Sequence, residues 1–284
     1  MVQPLGGGET APAVPIDAEA FNRFEAAGWE ARADSYAFLR PMTGRVGGTL
    51  LSVAEVGPGM EVLDVGSGPG DLAAAAAALG ADTVGIDVAP SMIRRAAIAH
   101  PSIPFRVGSF ELIPAGAGAF DAVVGNFVFN HVGRPELALR EARRVLRSGG
   151  WLALSSWDAP VRNRLLGLML DAVAAADAPL PPGLPPGPTN FRTDAELRGL
   201  LETAGFEEVG SSRIMFEAAV ADAETLWRGV LDSAVRIPPL VTLQAPDVQV
   251  RIRERFDALV AVHRRTDGAL AIPVSVQVTR GRQP

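Results

Sequence analysis

Between Asp17 and Ser52 the apolar positions recur at helical spacing: Phe21 and Phe24 fall on one face, Trp29, Tyr36 and Phe38 follow, and Asp17 stands where an N-cap is wanted. Residues 17–54 are therefore expected to form a helical lid. After the Glu55–Gly59 turn the period changes. Glu61–Val65 is a short β-branched run ending in glycines, and Asp71–Leu79 is an Ala-rich helix that Gly80 stops. This strand, glycine loop and helix make a βα unit. A second unit follows, with a strand over Thr83–Val88 and a helix over Pro90–His100, Pro90 in its first turn and Pro101 beyond its end. Phe105–Val107 and Phe120–Asn126 read as strands three and four. Arg134–Arg147 reads as a helix with Pro135 in its first turn, and Ser148-Gly149-Gly150 as a turn into a fifth strand, Trp151–Trp157. Strands alternating with helices predict an α/β fold built on a doubly wound, mostly parallel sheet.

The second half is less regular. Asn163–Ala176 reads as an apolar helix. Pro179–Pro188 must run extended, since proline fixes φ and offers no donor, and a rigid connector explains it without a peptide-binding partner. Thr193–Ala204 is a capped helix ending at Gly205, and Phe206–Val220 a strand. Across the helical stretch Asp222–Arg265, Val248, Ile252, Phe256 and Leu259 share a face, with Arg264 and Arg265 at the negative end of the dipole. Leu270, Ile272, Val274, Val276 and Val278 then alternate as a strand returning to the sheet. No internal repeat is present. The expected organisation is a flexible tail over residues 1–16 and a single domain over 17–284. Within it, 55–160 form the core, 161–190 and 221–268 are insertions, and 191–220 and 269–284 complete the sheet.

Composition narrows the chemistry by what it lacks. The 284 residues include no Cys, which removes disulfides, thiolate nucleophiles and Cys-ligated zinc. Every basic residue is Arg, so Schiff-base lysines, the pyridoxal-phosphate lysine and the P-loop lysine are excluded. His100, His131 and His263 lie far apart and form no helical pair of metal ligands, so no metal is expected. The net charge of −6 gives no surplus of positive charge to hold nucleic acid or an anionic membrane, and neither is expected as a partner. Met1–Pro15 has no basic and apolar regions of a signal peptide. The apolar run Leu72–Leu79 is far short of the roughly 20 residues that span a bilayer, so a cytoplasmic location is expected.

The chemistry concentrates in Val62-Leu63-Asp64-Val65-Gly66-Ser67-Gly68-Pro69-Gly70. Three glycines between a strand and a helix let the backbone turn tightly and let a ligand approach the helix N-terminus, where free N–H groups favour polar atoms. Asp87 ends the next strand at a distance that suits a carboxylate accepting both hydroxyls of an adenosine ribose.

At these residues the chain resembles the class I S-adenosylmethionine (SAM)-dependent methyltransferases, most closely the small-molecule group that includes the ubiquinone and menaquinone biosynthesis type. The resemblance rests on Leu63–Gly70, Gly85-Ile86-Asp87, Phe120-Asp121-Ala122-Val123-Val124 and Glu141–Gly150, and covers about Glu55–Trp157. It implies a seven-stranded Rossmann-like sheet, SAM as methyl donor and S-adenosylhomocysteine as product. It further implies that Gly66, Ser67 and Gly68 pass the methionine part of SAM, Asp87 holds the ribose, and Asp64 braces the loop or reaches the ammonium through water. Val88 and Met92 would pack near the adenosine. Many relatives carry a Gly-Asp pair after strand three whose Asp binds the adenine amino group. This chain has Gly108-Ser109-Phe110, so Ser109, Phe110 or the backbone would serve instead.

The resemblance places Asn126 where relatives line the sulfonium and substrate pocket, with Phe127–His131 along its rim. Asn126-Phe127-Val128-Phe129 lacks the proline pair of the nucleic-acid amino-methyltransferase signature Asn-Pro-Pro-Tyr. Tyr36, the single tyrosine, would lie over the methyl group, and His131 is placed to act as general base. The acceptor implied is a small hydrophobic or aromatic molecule. All-Arg basic usage with abundant Ala, Gly and Pro suits a GC-rich bacterial genome and a role in secondary metabolism. Two other readings remain open at this level: a non-catalytic SAM-binding sensor or partner subunit, and an NAD-dependent oxidoreductase, since Gly68-Pro69-Gly70-Asp71-Leu72-Ala73 matches the permissive dinucleotide fingerprint. The acceptor atom and the oligomeric state are not fixed by the sequence.

Overall fold

The computed structural model describes residues 16–187 and 193–284. The tail expected over residues 1–16 lies outside these but for Ile16, as does Pro188 at the end of the proline loop. Two helices open the described chain: α1 (Ala18–Arg32), whose first turn is capped by the Asp17 carboxylate accepting from the N–H groups of Glu19 and Ala20, and α2 (Arg40–Val53). There follow β1 (Glu61–Val65), α3 (Asp71–Ala78), β2 (Asp82–Asp87), α4 (Pro90–Ala99), β3 (Phe105–Val107), β4 (Phe120–Asn126), α5 (Pro135–Val145) and β5 (Leu146–Trp157). The remainder is α6 (Arg164–Ala175), α7 (Asp194–Thr203), β6 (Glu207–Val220), α8 (Ala223–Ser233), α9 (Ile237–Thr242), α10 (Pro246–Val260) and β7 (Leu270–Arg282).

The strands form one sheet in the order β3-β2-β1-β4-β5-β7-β6, parallel except for β7, which is antiparallel to both its neighbours. This is a Rossmann-like seven-stranded α/β fold. Period-two alternation divides the strands between two apolar layers. Val62, Ala122, Val124 and the alternating Leu270, Ile272, Val274, Val276 and Val278 face α2, α3, α6, α8 and α10, while Leu63, Val65, Val123, Leu152 and Leu154 face α5 and α7. The chain order reverses between β1 and β4, so their C-terminal ends open the crevice in which such sheets bind ligands.

One departure from the sequence reading has a local cause. The helix expected to run to Arg147 ends at Val145, because Leu146 pairs with Phe120 and starts β5 across a bulge, with Gly149 at φ +80°. The helical stretch expected over Asp222–Arg265 divides into three helices, α8, α9 and α10. Pro238 opens α9 and Pro246 opens α10, each missing an N–H that a continuous helix would need. Among the described residues no helix is long and apolar enough to cross a membrane.

Candidate active site

The C-terminal ends of β1, β2 and β4, together with α1 and α2, enclose a cavity of about 220 Å³. Of the residues singled out by the sequence, Tyr36, Asp64, Gly66, Ser67, Gly68, Asp87, Val88, Met92, Ser109, Phe110, Asn126 and His131 line it, and of the expected rim Phe127–His131 only Phe129 and Asn130 do not. The glycine loop forms its floor. Gly66 adopts φ +67°, and a Cβ there would stand 2.4 Å from Val128 Cγ2. A Cβ on Gly68, at φ +51°, would meet nothing within 4 Å. The first glycine is thus required by packing, and the second leaves space for a ligand.

Two buried carboxylates flank the loop. Asp64 lies on the α3 face of β1, where Oδ2 accepts from Ala73 N–H at 3.0 Å, while Oδ1 is buried without a hydrogen-bond partner. Burial pushes its pKa well above the usual carboxylate value, against the lowering effect of the Ala73 bond. Asp87 accepts from Gly68 N–H through Oδ2 and from Ala89 N–H through Oδ1, both at 2.9 Å. Burial raises its pKa as well, opposed by those two bonds. Ser67 Oγ is a further buried polar atom with no hydrogen-bond partner. Two orphaned oxygens and an open glycine backbone at the α3 N-terminus constitute a polar cradle awaiting polar ligand atoms.

The rest of the wall is mixed. Met92 is buried and Val88 is 38% exposed. Ser109 Oγ accepts from Glu111 N–H at 3.1 Å, and Phe110 packs edge-on against Phe129. Asn126 serves as a brace: Nδ2 donates to Thr43 O on α2 at 3.1 Å, and Oδ1 accepts from Ser155 Oγ at 2.7 Å. Tyr36 hydroxyl lies 3.3 Å from Thr43 Oγ1, and burial raises its pKa against the opposing effect of that contact. His131 Nδ1 lies 2.9 Å from Glu25 Oε2 on α1, and its ring meets Trp29 edge-on at 5.0 Å. His100 packs against Gly70 with Nε2 buried.

A second cavity, of about 230 Å³, adjoins the first and shares Trp29, Leu39, His131 and Trp157 with it. The remaining lining is largely aliphatic, including Leu166, Leu170, Val235, Ile237 and Leu240, with Asn130 and Arg236 as polar members. Sequence reasoning missed Glu25, Asn22, Thr43, Glu111 and Arg236. Glu25 had a legible signal, standing four residues after the buried Phe21 and therefore on the apolar stripe of α1, where a solvated carboxylate does not belong. Glu111 and Arg236 sit in irregular segments whose position no periodicity reports. Among the described residues no cluster of metal-ligating side chains occurs.

Residues 63–154 match the family model described as "Methyltransferase domain". The ubiquinone biosynthesis O-methyltransferase of Xanthomonas axonopodis pv. citri is 33% identical over 167 residues, spanning 56% of this chain and 67% of that protein. An uncharacterized protein of Mycobacterium tuberculosis is 26% identical over 207 residues, spanning 67% of this chain and 74% of its own length. Among solved structures, the YcgJ protein of Bacillus subtilis superposes with a TM-score of 0.57 at 17% identity, over 84% of this chain and 98% of that one, a likeness of fold.

Proposed function

We propose that this chain, which belongs to the class I SAM-dependent methyltransferases, transfers the methyl group to a small apolar or aromatic acceptor held in the second cavity. The observation that carries this reading is the common wall: the polar cradle and the aliphatic cavity meet at Trp29, Leu39, His131 and Trp157. A donor in one and an acceptor in the other would react across that wall. Residues 17–284 then act as one domain, with 17–54 as the lid.

SAM supplies an activated methyl on a sulfonium, so positioning does much of the catalytic work. In the residues present, Asp87 would accept hydrogen bonds from the ribose hydroxyls through lone pairs beyond those used by Gly68 and Ala89. Gly66, Ser67 and Gly68 would line the methionine part, with Ser67 Oγ and Asp64 Oδ1 finding there the partners they lack. Met92 and Val88 would pack on the adenosine, and Ser109 and Phe110 would border the adenine. Asn126 would hold α2 over the site through Thr43, and Tyr36 would close it from the lid. His131, on the shared wall, would take the acceptor's proton. The aliphatic lining supports an apolar acceptor, the bacterial origin of the relatives supports a bacterial setting, and the all-Arg, Ala/Gly/Pro-rich composition is the ground for a secondary-metabolic role.

The test is transfer of tritium from methyl-labelled SAM into a panel of apolar aromatic hydroxy compounds, aromatic amines, short peptides and oligonucleotides. Counts are expected in the small aromatic arms, falling at least about tenfold in Leu240→Trp, which fills the second cavity, while SAM affinity is retained. Transfer confined to peptides or oligonucleotides, or unaffected by Leu240→Trp, would contradict the reading.

A further inference from the structure

His131 is held by more than its own segment. Glu25 is 2% exposed, and its Oε2 lies 2.9 Å from His131 Nδ1. Its other oxygen, Oε1, lies 3.8 Å from Arg236 NH1. The guanidinium is anchored in turn, donating through NH2 to Pro185 O at 3.0 Å and stacking over Phe21 at 5.0 Å. The three residues come from three separate places: α1, the short turn after β4, and the loop between α8 and α9. Arg236 supplies the countercharge that a buried carboxylate needs. Trp29, edge-on at 5.0 Å, limits rotation of the imidazole.

We propose that Glu25 is a positioning residue which, backed by Arg236, fixes His131 with its proton on Nδ1, so that Nε2 is the basic atom presented where the two cavities meet. The inference rests on the reading of those cavities as donor and acceptor sites. A carboxylate only accepts, so the nitrogen facing it must carry the hydrogen, and in a neutral ring the lone pair is then left on Nε2. In the transfer step the bond between the acceptor's nucleophilic atom and the methyl carbon forms as the carbon–sulfur bond breaks. The electron pair of that bond goes to sulfur, and the acceptor's proton goes to Nε2, giving the methylated acceptor, S-adenosylhomocysteine and an imidazolium paired with Glu25. Because Glu25 belongs to the lid and Arg236 to the insertion, the base is assembled only when both are seated.

The test is the tautomer itself. The full chain labelled with 15N-histidine is examined by long-range 1H–15N correlation at about pH 8.5, where an ordinary imidazole is neutral, with and without saturating S-adenosylhomocysteine; His131 is assigned by its loss in His131→Gln. The expected result is an Nδ1–H ring for His131, shifting to predominantly Nε2–H in Glu25→Met. An Nε2–H ring in the wild type, or an unchanged tautomer in Glu25→Met, overturns the proposal. The wild-type spectrum decides by itself if that variant fails to fold. Binding of S-adenosylhomocysteine to the same wild-type sample separates the two readings: absence of binding overturns the donor site, whereas binding beside an Nε2–H ring overturns the positioning role alone.

Discussion

At the scale of single residues, the two loop carboxylates illustrate a site held at a cost to stability. Asp64 is buried with one oxygen unpartnered and its pKa pushed well up by desolvation. A carboxyl whose folded pKa exceeds its unfolded value binds its proton more tightly in the native state, so stability rises as pH falls through the folded value. Wherever it is ionised, its charge is a burden. Asp64→Asn keeps an acceptor for Ala73 N–H while removing that charge. It is expected to raise ligand-free stability near pH 8 by about 1 kcal/mol, the low end for an unsatisfied buried polar group, with the gain shrinking as pH falls toward about 4. The same substitution should weaken S-adenosylhomocysteine binding about tenfold, by calorimetry, because the charge would otherwise face the ligand's ammonium. A destabilised variant with unchanged affinity would show that Asp64 only braces α3.

At the scale of elements, the register of β5, β7 and β6 is pinned by one buried acid. Asp158, fully buried just after β5, accepts from Arg162, Arg213, Ser275 Oγ and Gln277 Nε2, so a single carboxylate joins three adjacent strands. Burial alone would raise its pKa, but the bonds from Arg162, Ser275, Ala159 N–H and Arg213 outweigh that and hold it well below the usual carboxylate range. A depressed folded pKa contributes stability that is fully present above the unfolded value and is lost as pH falls through the folded one. Asp158→Asn is expected to cost about 3 kcal/mol in urea unfolding at pH 7, and the gap from wild type should narrow below about pH 4. A gap constant down to pH 2 would contradict this. The strands were legible because alternation and glycine punctuation are local: β1, β3 and β4 have the bounds that the pattern predicts. The network around Asp158 was not, since Ser275 and Gln277 are ordinary polar positions of an alternating strand until β7 is seen to run buried between two neighbours. The Leu146 pairing across a bulge was equally hidden, because it depends on Phe120, more than twenty residues away.

At the scale of the whole molecule, the sheet order, α1 and α2, and the helices between β6 and β7 bring residues distant in sequence to one place. Asn22 on α1 donates to Glu111 at 2.8 Å and accepts from Gly133 N–H at 2.7 Å, while Glu25 joins His131 and Arg236. The glycine-loop cavity was readable because it hangs on one βα unit and the strand beside it. The second cavity was not, because its lining comes from α6, the proline loop and the segment Ala234–Leu240, which only folding brings together. The proposed transfer and the proposed role of Glu25 both require that the first cavity bind SAM and its product. The most direct measurement is thermal unfolding with about 1 mM S-adenosylhomocysteine, in parallel with NAD, on the wild type and Asp87→Ala. At roughly 100 times a Kd of about 10 μM, binding stabilises by about 2.7 kcal/mol, a rise in Tm of roughly 2–4 °C. That rise is expected with S-adenosylhomocysteine alone, and is expected to be lost in Asp87→Ala. A rise with NAD alone, with neither ligand, or one that survives Asp87→Ala would contradict that expectation.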